Sequence, residues 1–420
     1  MTEFMKKYKL KITVLSPVHI GAATDLEPTE YVIYSEKGEA ELSQKQADSA
    51  VICPECGYKN PTNAELCGNC GTELSRQATP VKQTTAQAAA DSYLYTFTPG
   101  QLSDALSDAD KTVLLKEAKK GDLMALHSFF KNKASAIVKT ARKRAFVCPE
   151  VAKKYDEKFG RTNNGNNEIN QFIIERQISD PVTGLPYIPG SSIKGAIRTA
   201  LMSAKNKFSS LNRQNFIRCN DKNGKSSAVK NAGSIAEKQL YGYDVAPAQD
   251  APDPFKALKL CDAVSNSDLL TKICPAQRTG KKGDIPSNIE IIPENASFVS
   301  SLSIMQDVKP VNFGETIETI RVACNDFYLD VLKNEINEKW DENIDAIIKA
   351  LEKKAAASNA FILNLGKNSG AESKTVKGLR IIENRQQHTL MERSVTYWFA
   401  NDGRERLPFG WCVVEFEEEK

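Results

Sequence analysis

Leu185-Pro186-Tyr187-Ile188-Pro189-Gly190-Ser191-Ser192-Ile193-Lys194-Gly195-Ala196-Ile197-Arg198-Thr199-Ala200-Leu201 decides how this chain is read. The first residues favour extended chain, and Pro189-Gly190 breaks it. Ser191 or Ser192 can cap a following helix through a side-chain oxygen. Ile193, Ala196, Ile197 and Ala200 then fall on one apolar stripe at helical spacing. Lys194 and Arg198 stand one turn apart beside that stripe. Free N–H groups and the positive end of the helix dipole gather at the same place. Gly190 and Gly195 let another backbone come close. The arrangement suits a phosphate backbone laid across a helix start. A plain strand-to-helix joint with two solvated cations has the same spacing. The following residues separate the two readings. From Ser191 to Lys230 the cations are Lys194, Arg198, Lys205, Lys207, Arg213, Arg218, Lys222, Lys225 and Lys230, and Asp221 is the only acid. Such a block is an electrostatic footprint for a polyanion.

A chain of 420 residues accommodates two or three domains. With 41% hydrophobic and 26% charged residues, most of it is expected to be globular. The formal charge of +3 argues against nonspecific coating of nucleic acid, so any such site must be a local patch. The first residues run straight into a strand pattern without a signal-peptide core, and no segment is apolar over a membrane span. A cytoplasmic protein with reduced thiols and no membrane partner is expected.

Ten cysteines are present. Four of them, Cys53, Cys56, Cys67 and Cys70, form two C-x-x-C knuckles, followed by Gly57 and Gly71. Four thiolates are the set that tetrahedral Zn²⁺ needs. A structural zinc ribbon is expected over about residues 49–74, inserted into a hairpin and tethered by a flexible linker, 75–92, rich in Ala, Gln and Thr. Cys148, Cys219, Cys261, Cys274, Cys324 and Cys412 are scattered and read as packing residues.

Tyr8, Leu10, Ile12 and Val14 alternate as in a half-buried strand. Tyr31–Tyr34 and Tyr93–Phe97 read as an antiparallel pair. Residues 101–144 read as mostly helical, ending in the basic run Arg142-Lys143-Arg144. Residues 172–178 lead as a strand into the opening motif. Residues 206–233 are basic and poor in apolar side chains, so mobility without ligand is expected. Further strands are expected at 254–260, 288–292 and 411–416, and a long helix at 330–357. Phe361–Leu365 runs into a glycine- and serine-bearing loop, Gly366–Gly378. Strands and helices mix without a strict βα period, so the class is α+β, in two halves, 1–170 and 171–420.

Gly184 through Gly195 resembles the signature of RAMP proteins, the RNA-binding subunits of CRISPR–Cas effector complexes. Leu15-Ser16-Pro17-Val18-His19-Ile20-Gly21 with Leu26 through Ile33 resembles the start of one subfamily, the fifth Csm subunit of type III-A complexes. Asp253 through Asp262 is similar to its middle block. Leu365-Gly366-Lys367-Asn368-Ser369-Gly370 through Lys374-Thr375, and Leu407-Pro408-Phe409-Gly410-Trp411, continue the pattern. The matches span nearly the whole chain in order. The resemblance implies two RRM-like (ferredoxin-like) domains and a CRISPR RNA held by its backbone near the 3′ end. It implies a non-catalytic subunit that caps the filament beside backbone RAMP and small Csm subunits. Support for 3′-end maturation, with host nucleases doing the trimming, follows from the same resemblance. The inserted ribbon departs from the pattern, which has a short hairpin there.

The candidate RNA contacts are Gly190, Ser191, Ser192, Lys194, Gly195 and Arg198 on the motif, and Gly366, Lys367 and Lys374 on the late loop. That loop lacks the G-x-x-x-x-G-K-[ST] spacing, so nucleotide hydrolysis is unsupported. A plain hairpin loop would look similar. Arg278 through Gly283 is either a solvated loop or a backbone contact. His19, His127 and His388 are dispersed. His19 follows the first strand, where some RAMP-fold repeat-processing endoribonucleases place a base; a turn histidine bonded to backbone is the other reading. RNA cleavage also needs a positioned acid and a phosphate stabiliser, and no compact set stands out. Two functions follow: a capping, RNA-binding subunit, or a RAMP-fold endoribonuclease that processes repeat RNA.

Overall fold

Tyr8, Leu10, Ile12 and Val14 are buried along the strand Met5–Val14, while Lys7, Lys9 and Lys11, which alternate with them, are exposed. The computed structural model describes residues 5–35, 50–52, 59–61, 91–159, 172–220, 225–243, 253–265, 267–278, 286–306, 313–336, 344–384, 389–394, 396–403 and 405–419. Met5–Val14 lies inside a seven-stranded sheet, ordered Ala360–Asn364, Trp411–Glu419, Met5–Val14, Ser297–Met305, Ala263–Ser265, Tyr187–Ile188, with Leu258–Leu260 also on Ser297–Met305. Every pairing in it is antiparallel. The motif helix Gly190–Asn206 and the helix Ile317–Ile336 pack on this sheet through Ile193, Ile197, Leu201, Ile320, Phe327 and Val331. Each such side chain removed from water stabilises the fold by about 1.5–3 kcal/mol. The Tyr328 hydroxyl donates to the Ala196 carbonyl at 3.2 Å, which ties the two helices together.

The second sheet has eight strands. Its order is Tyr31–Ser35, Ser92–Thr96, Arg142–Val147, Thr271–Arg278, Ser287–Ile291, Ile174–Glu175, with Trp398–Asn401 also on Thr271–Arg278 and Arg406–Pro408 on Trp398–Asn401. Successive residues of its first strand serve opposite faces. Tyr31 and Ile33 meet Val151 and Tyr155 of the helix Pro149–Lys158. Val32 meets Phe129, Phe130 and Ile137 of a helical lobe.

The α+β class holds, and the two sheets give it two curled layers. The division at residue 170 does not follow them. Met5–Val14 sits among late strands, and Thr271–Arg278 and Ser287–Ile291 sit among early ones.

Residues 101–144 differ from expectation. The lobe is four short helices, Pro99–Ala105, Asp108–Lys120, Leu123–Asn132 and Ala134–Ile137. Ser107 and Asp122 cap new starts, and Gly121 ends the second helix at φ +68°. The basic run belongs to the strand Arg142–Val147. The helix expected at 330–357 is two, Ile317–Ile336 and Asp345–Ala355. The first begins early because Thr316 and Thr319 exchange side-chain and backbone hydrogen bonds. The basic block is also packed. Phe216 joins Met202 and Ala236 in an apolar cluster with Val376, Leu379 and Ile381.

Cys53, Cys56, Cys67 and Cys70 lie outside the described residues, as do 75–90, 279–283 and His388. The ribbon region is described only as an antiparallel pair, Ala50–Ile52 with Lys59–Pro61, in which Ile52 stands opposite Lys59. Among the described residues no helix is long and apolar enough to cross a membrane.

Candidate nucleic-acid interface

The start of the motif helix is already answered by the chain itself. Gly190 N–H donates to Asp262 Oδ1 at 2.7 Å. Neither Ser191 nor Ser192 caps, since the helix has no side-chain cap bond at its first turn. Gly190 is obligatory there for packing. A Cβ would lie 2.6 Å from the Leu260 carbonyl oxygen and 2.7 Å from that of Cys261. The close backbone approach expected at this glycine is to its own chain.

Arg198 also turns inward. Its Nη2 reaches Asp253 Oδ1 and Oδ2 at 2.9 and 2.8 Å and Glu237 Oε1 at 3.4 Å, and its guanidinium lies 4.4 Å from the Phe255 ring centre. The charge expected to meet phosphate is therefore matched by Asp253 of the middle block and by Glu237 of the helix Ala232–Tyr241. Lys194 shares this flank. Burial pulls its ammonium below the usual lysine value, Asp253 opposes the shift, and Arg198 and Lys259 add to it.

The other flank is open. Ser192, Gly195 and Thr199 recur along one side of the helix and border a groove of about 500 Å³. Across it stand Asn364, Gly366, Lys367, Ser373 and Lys374, with Ile20 and Gly21 alongside. A Cβ at Gly195 would meet nothing within 4 Å, so the helix surface is bare there. Thus the structure brings Ser192 and Gly195 together with Gly366, Lys367 and Lys374. It sets Gly190 beneath its own backbone, Lys194 and Arg198 on the opposite flank, and leaves Ser191 exposed.

The loop wall is held from below. Gly366 adopts φ +84°, and a Cβ there would lie 2.3 Å from the His19 carbonyl oxygen. Lys367 N–H donates to that same oxygen at 2.7 Å. The Lys367 ammonium pairs with Glu175. Burial lowers the Lys374 pKa, and repulsion from Lys367 lowers it further. An anion between the two lysines would oppose both effects by favouring the charged ammonium.

His19 is buried, and its Nδ1 bonds to the Glu290 carbonyl at 2.6 Å. It is bonded to backbone, though of the second sheet rather than of its own turn. Its Nε2 stands 3.9 Å from Glu175, and burial holds its pKa below the usual histidine value. The Glu290 carboxylate is fully bonded. It accepts from Arg144 Nε and Nη2 at 2.8 and 2.9 Å, from Gln177 N–H at 2.9 Å and from the Thr271 hydroxyl at 2.6 Å. Arg144 of the basic run is thereby internal. His127 stacks on Phe159 at 4.6 Å. Cys148, Cys274, Cys324 and Cys412 are buried as expected, whereas Cys261 is exposed. Among the described residues no three His, Cys, Asp or Glu side chains gather as a metal site.

Sequence reading missed Gly21, Thr199, Asn364 and Ser373 as groove residues. The one available signal was an asparagine closing the apolar strand Ala360–Asn364.

The family model described as RAMPs, RAMP superfamily, matches residues 11–371. The chain belongs to the RAMP superfamily. Two curated relatives are named CRISPR system Cms protein Csm5. The one from Streptococcus thermophilus is 27% identical over 216 residues, 50% of each chain. The one from Methanocaldococcus jannaschii is 27% identical over 241 residues, 54% of each chain. The chain spans about half the length of these relatives. A chain of a cryo-EM structure of a type III-A Csm–crRNA–target RNA ternary complex superposes with a TM-score of 0.53 at 18% identity, covering 97% of this RAMP chain and 100% of that one. The crystal structure of T. onnurineus Csm5 superposes with a TM-score of 0.51 at 17% identity, covering 96% and 99%. These structures share the fold.

Proposed function

We propose that this protein is a non-catalytic RNA-binding subunit of a type III-A Csm effector complex. It caps the filament at the 3′ region of the CRISPR RNA and supports maturation of that RNA in the cytoplasm. Its neighbours are backbone RAMP and small Csm subunits, with host 3′-trimming nucleases as transient partners. One observation carries the RNA reading. Two lysines from a late loop face the bare flank of the motif helix across one groove, and one of them is held below its usual pKa by burial and by the charge of the other. Among the described residues no aromatic side chain lines that groove. Without a stacking platform the contacts fall on phosphate and sugar, so binding is independent of sequence. The likeness to Csm5 relatives supports the place in the complex.

A non-catalytic role is supported by the burial of His19, which keeps its ring from solvent. Incubation of the purified protein with repeat RNA, in EDTA and then in Mg²⁺, tests this. Cleavage abolished by His19→Ala would favour the endoribonuclease. Omitting the subunit from the complex should leave the 5′ region of the guide bound and change its 3′ end lengths.

The inserted region takes structural Zn²⁺ on Cys53, Cys56, Cys67 and Cys70 in this reading. The antiparallel pair with Ile52 opposite Lys59 brackets the sequence of the first knuckle, as a metal-bound hairpin requires.

A further inference from the structure

We propose that the inner wall of the groove reads ribose 2′-hydroxyl groups, making the site selective for RNA over DNA. The inference rests on the RNA reading given above. Asn364 and Ser373 line the groove and are only 3% and 2% exposed. Among the described residues, both polar atoms of the Asn364 amide and the Ser373 hydroxyl have no hydrogen-bond partner. A buried polar atom left unpaired costs about 1–3 kcal/mol, so two residues of one groove with that deficit call for a ligand that supplies partners.

The chemistry of the deficit defines the ligand. Phosphate oxygens only accept, and could satisfy the amide N–H and the hydroxyl but not the amide oxygen. A 2′-hydroxyl both donates and accepts, matching an amide and a hydroxyl together. The amide is also held in place. A Cβ at Gly410 would fall 2.2 Å from Asn364 Oδ1, so only glycine leaves room for this side chain. Lys374 follows Ser373 directly, which puts the cation for a phosphate one residue from the hydroxyl for the adjoining sugar. The volume of about 500 Å³ lies within the range of sites that admit a nucleotide-sized ligand.

The test uses the full chain and a single-stranded RNA of about ten nucleotides, a usual site size. Single positions are replaced in turn by 2′-deoxy and by 2′-fluoro nucleotides. The fluoro sugar keeps the RNA pucker but cannot donate. One or two adjacent positions should lose roughly 3- to 12-fold in affinity with both replacements, one hydrogen bond's worth. Asn364→Leu, or the milder Ser373→Ala should the first not fold, should erase that penalty. Equal binding of all the oligonucleotides, or a loss with deoxy alone, overturns the proposal. If Lys367→Ala with Lys374→Ala then still weakens binding, the RNA groove itself stands. If that double variant binds like wild type, the groove reading falls as well.

Discussion

Lys374 and Arg198 look alike in sequence and do opposite work. Lys374 faces an open groove with another cation beside it, while Arg198 is spent on Asp253 and Glu237. Lys374→Ala should weaken RNA binding evenly across sequences and lower the log–log salt slope by about one. Titrations at several salt concentrations read this, and an unchanged slope would remove Lys374 from the interface. Arg198→Ala should leave the slope alone and cost about 1 kcal/mol of stability, a modest figure because the pair is partly exposed. Glu335 sets a pH dependence. It is buried, and burial with the nearby Glu372 charge raises its pKa well above the usual glutamate value. The folded state thus keeps a proton that the unfolded chain releases near pH 4.3. Stability falls as pH rises above that value. Glu335→Gln should unfold at higher denaturant than wild type at pH 8, with the gap closing toward pH 4. A gap that widens on acidification would contradict the assignment.

At the scale of elements, the loop wall depends on a backbone geometry that glycine permits. Gly366→Ala should cost about 1–3 kcal/mol, through positive φ and the collision with the His19 carbonyl, and should loosen Lys367. Reduced amide-exchange protection confined to the loop is the expected readout. Glu290→Ala should cost about 3–5 kcal/mol, because it strands Arg144 in the interior. The motif helix was legible because its apolar stripe, its Pro-Gly break and its length all agree. Ser297–Met305 was not, although it pairs with Met5–Val14. Four serines dilute its alternation, and one of them, Ser300, donates to the Cys261 carbonyl to remain buried. Thr271–Arg278 was missed because Pro275 argues against a paired strand, yet Pro275 stands opposite Asn288 in the ladder. The groove was half legible. Its two walls were each read as RNA contacts, but a single sequence does not show that they face each other, nor that Asp253 and Asp262 turn the motif's cation and helix start inward.

For the whole molecule, the inserted region should be separable from the two sheets. Cys67→Ser with Cys70→Ser should release one Zn²⁺ per chain, measured by metal analysis, and leave the main unfolding midpoint unchanged. Wild-type protein prepared without chelator and free of zinc would reject the site. The first sheet, by contrast, cannot be separated from either part of the chain. Met5 stands opposite Met305, and Lys7 opposite Glu419. A ribosome adding about 5–20 residues per second needs roughly 15–60 s to bring Met305 within reach of Met5. Through that interval Tyr8, Leu10, Ile12 and Val14 emerge as an apolar strand with both edges unpaired. Yield of folded protein in a cell should therefore depend on chaperone capacity and on translation speed between these two strands.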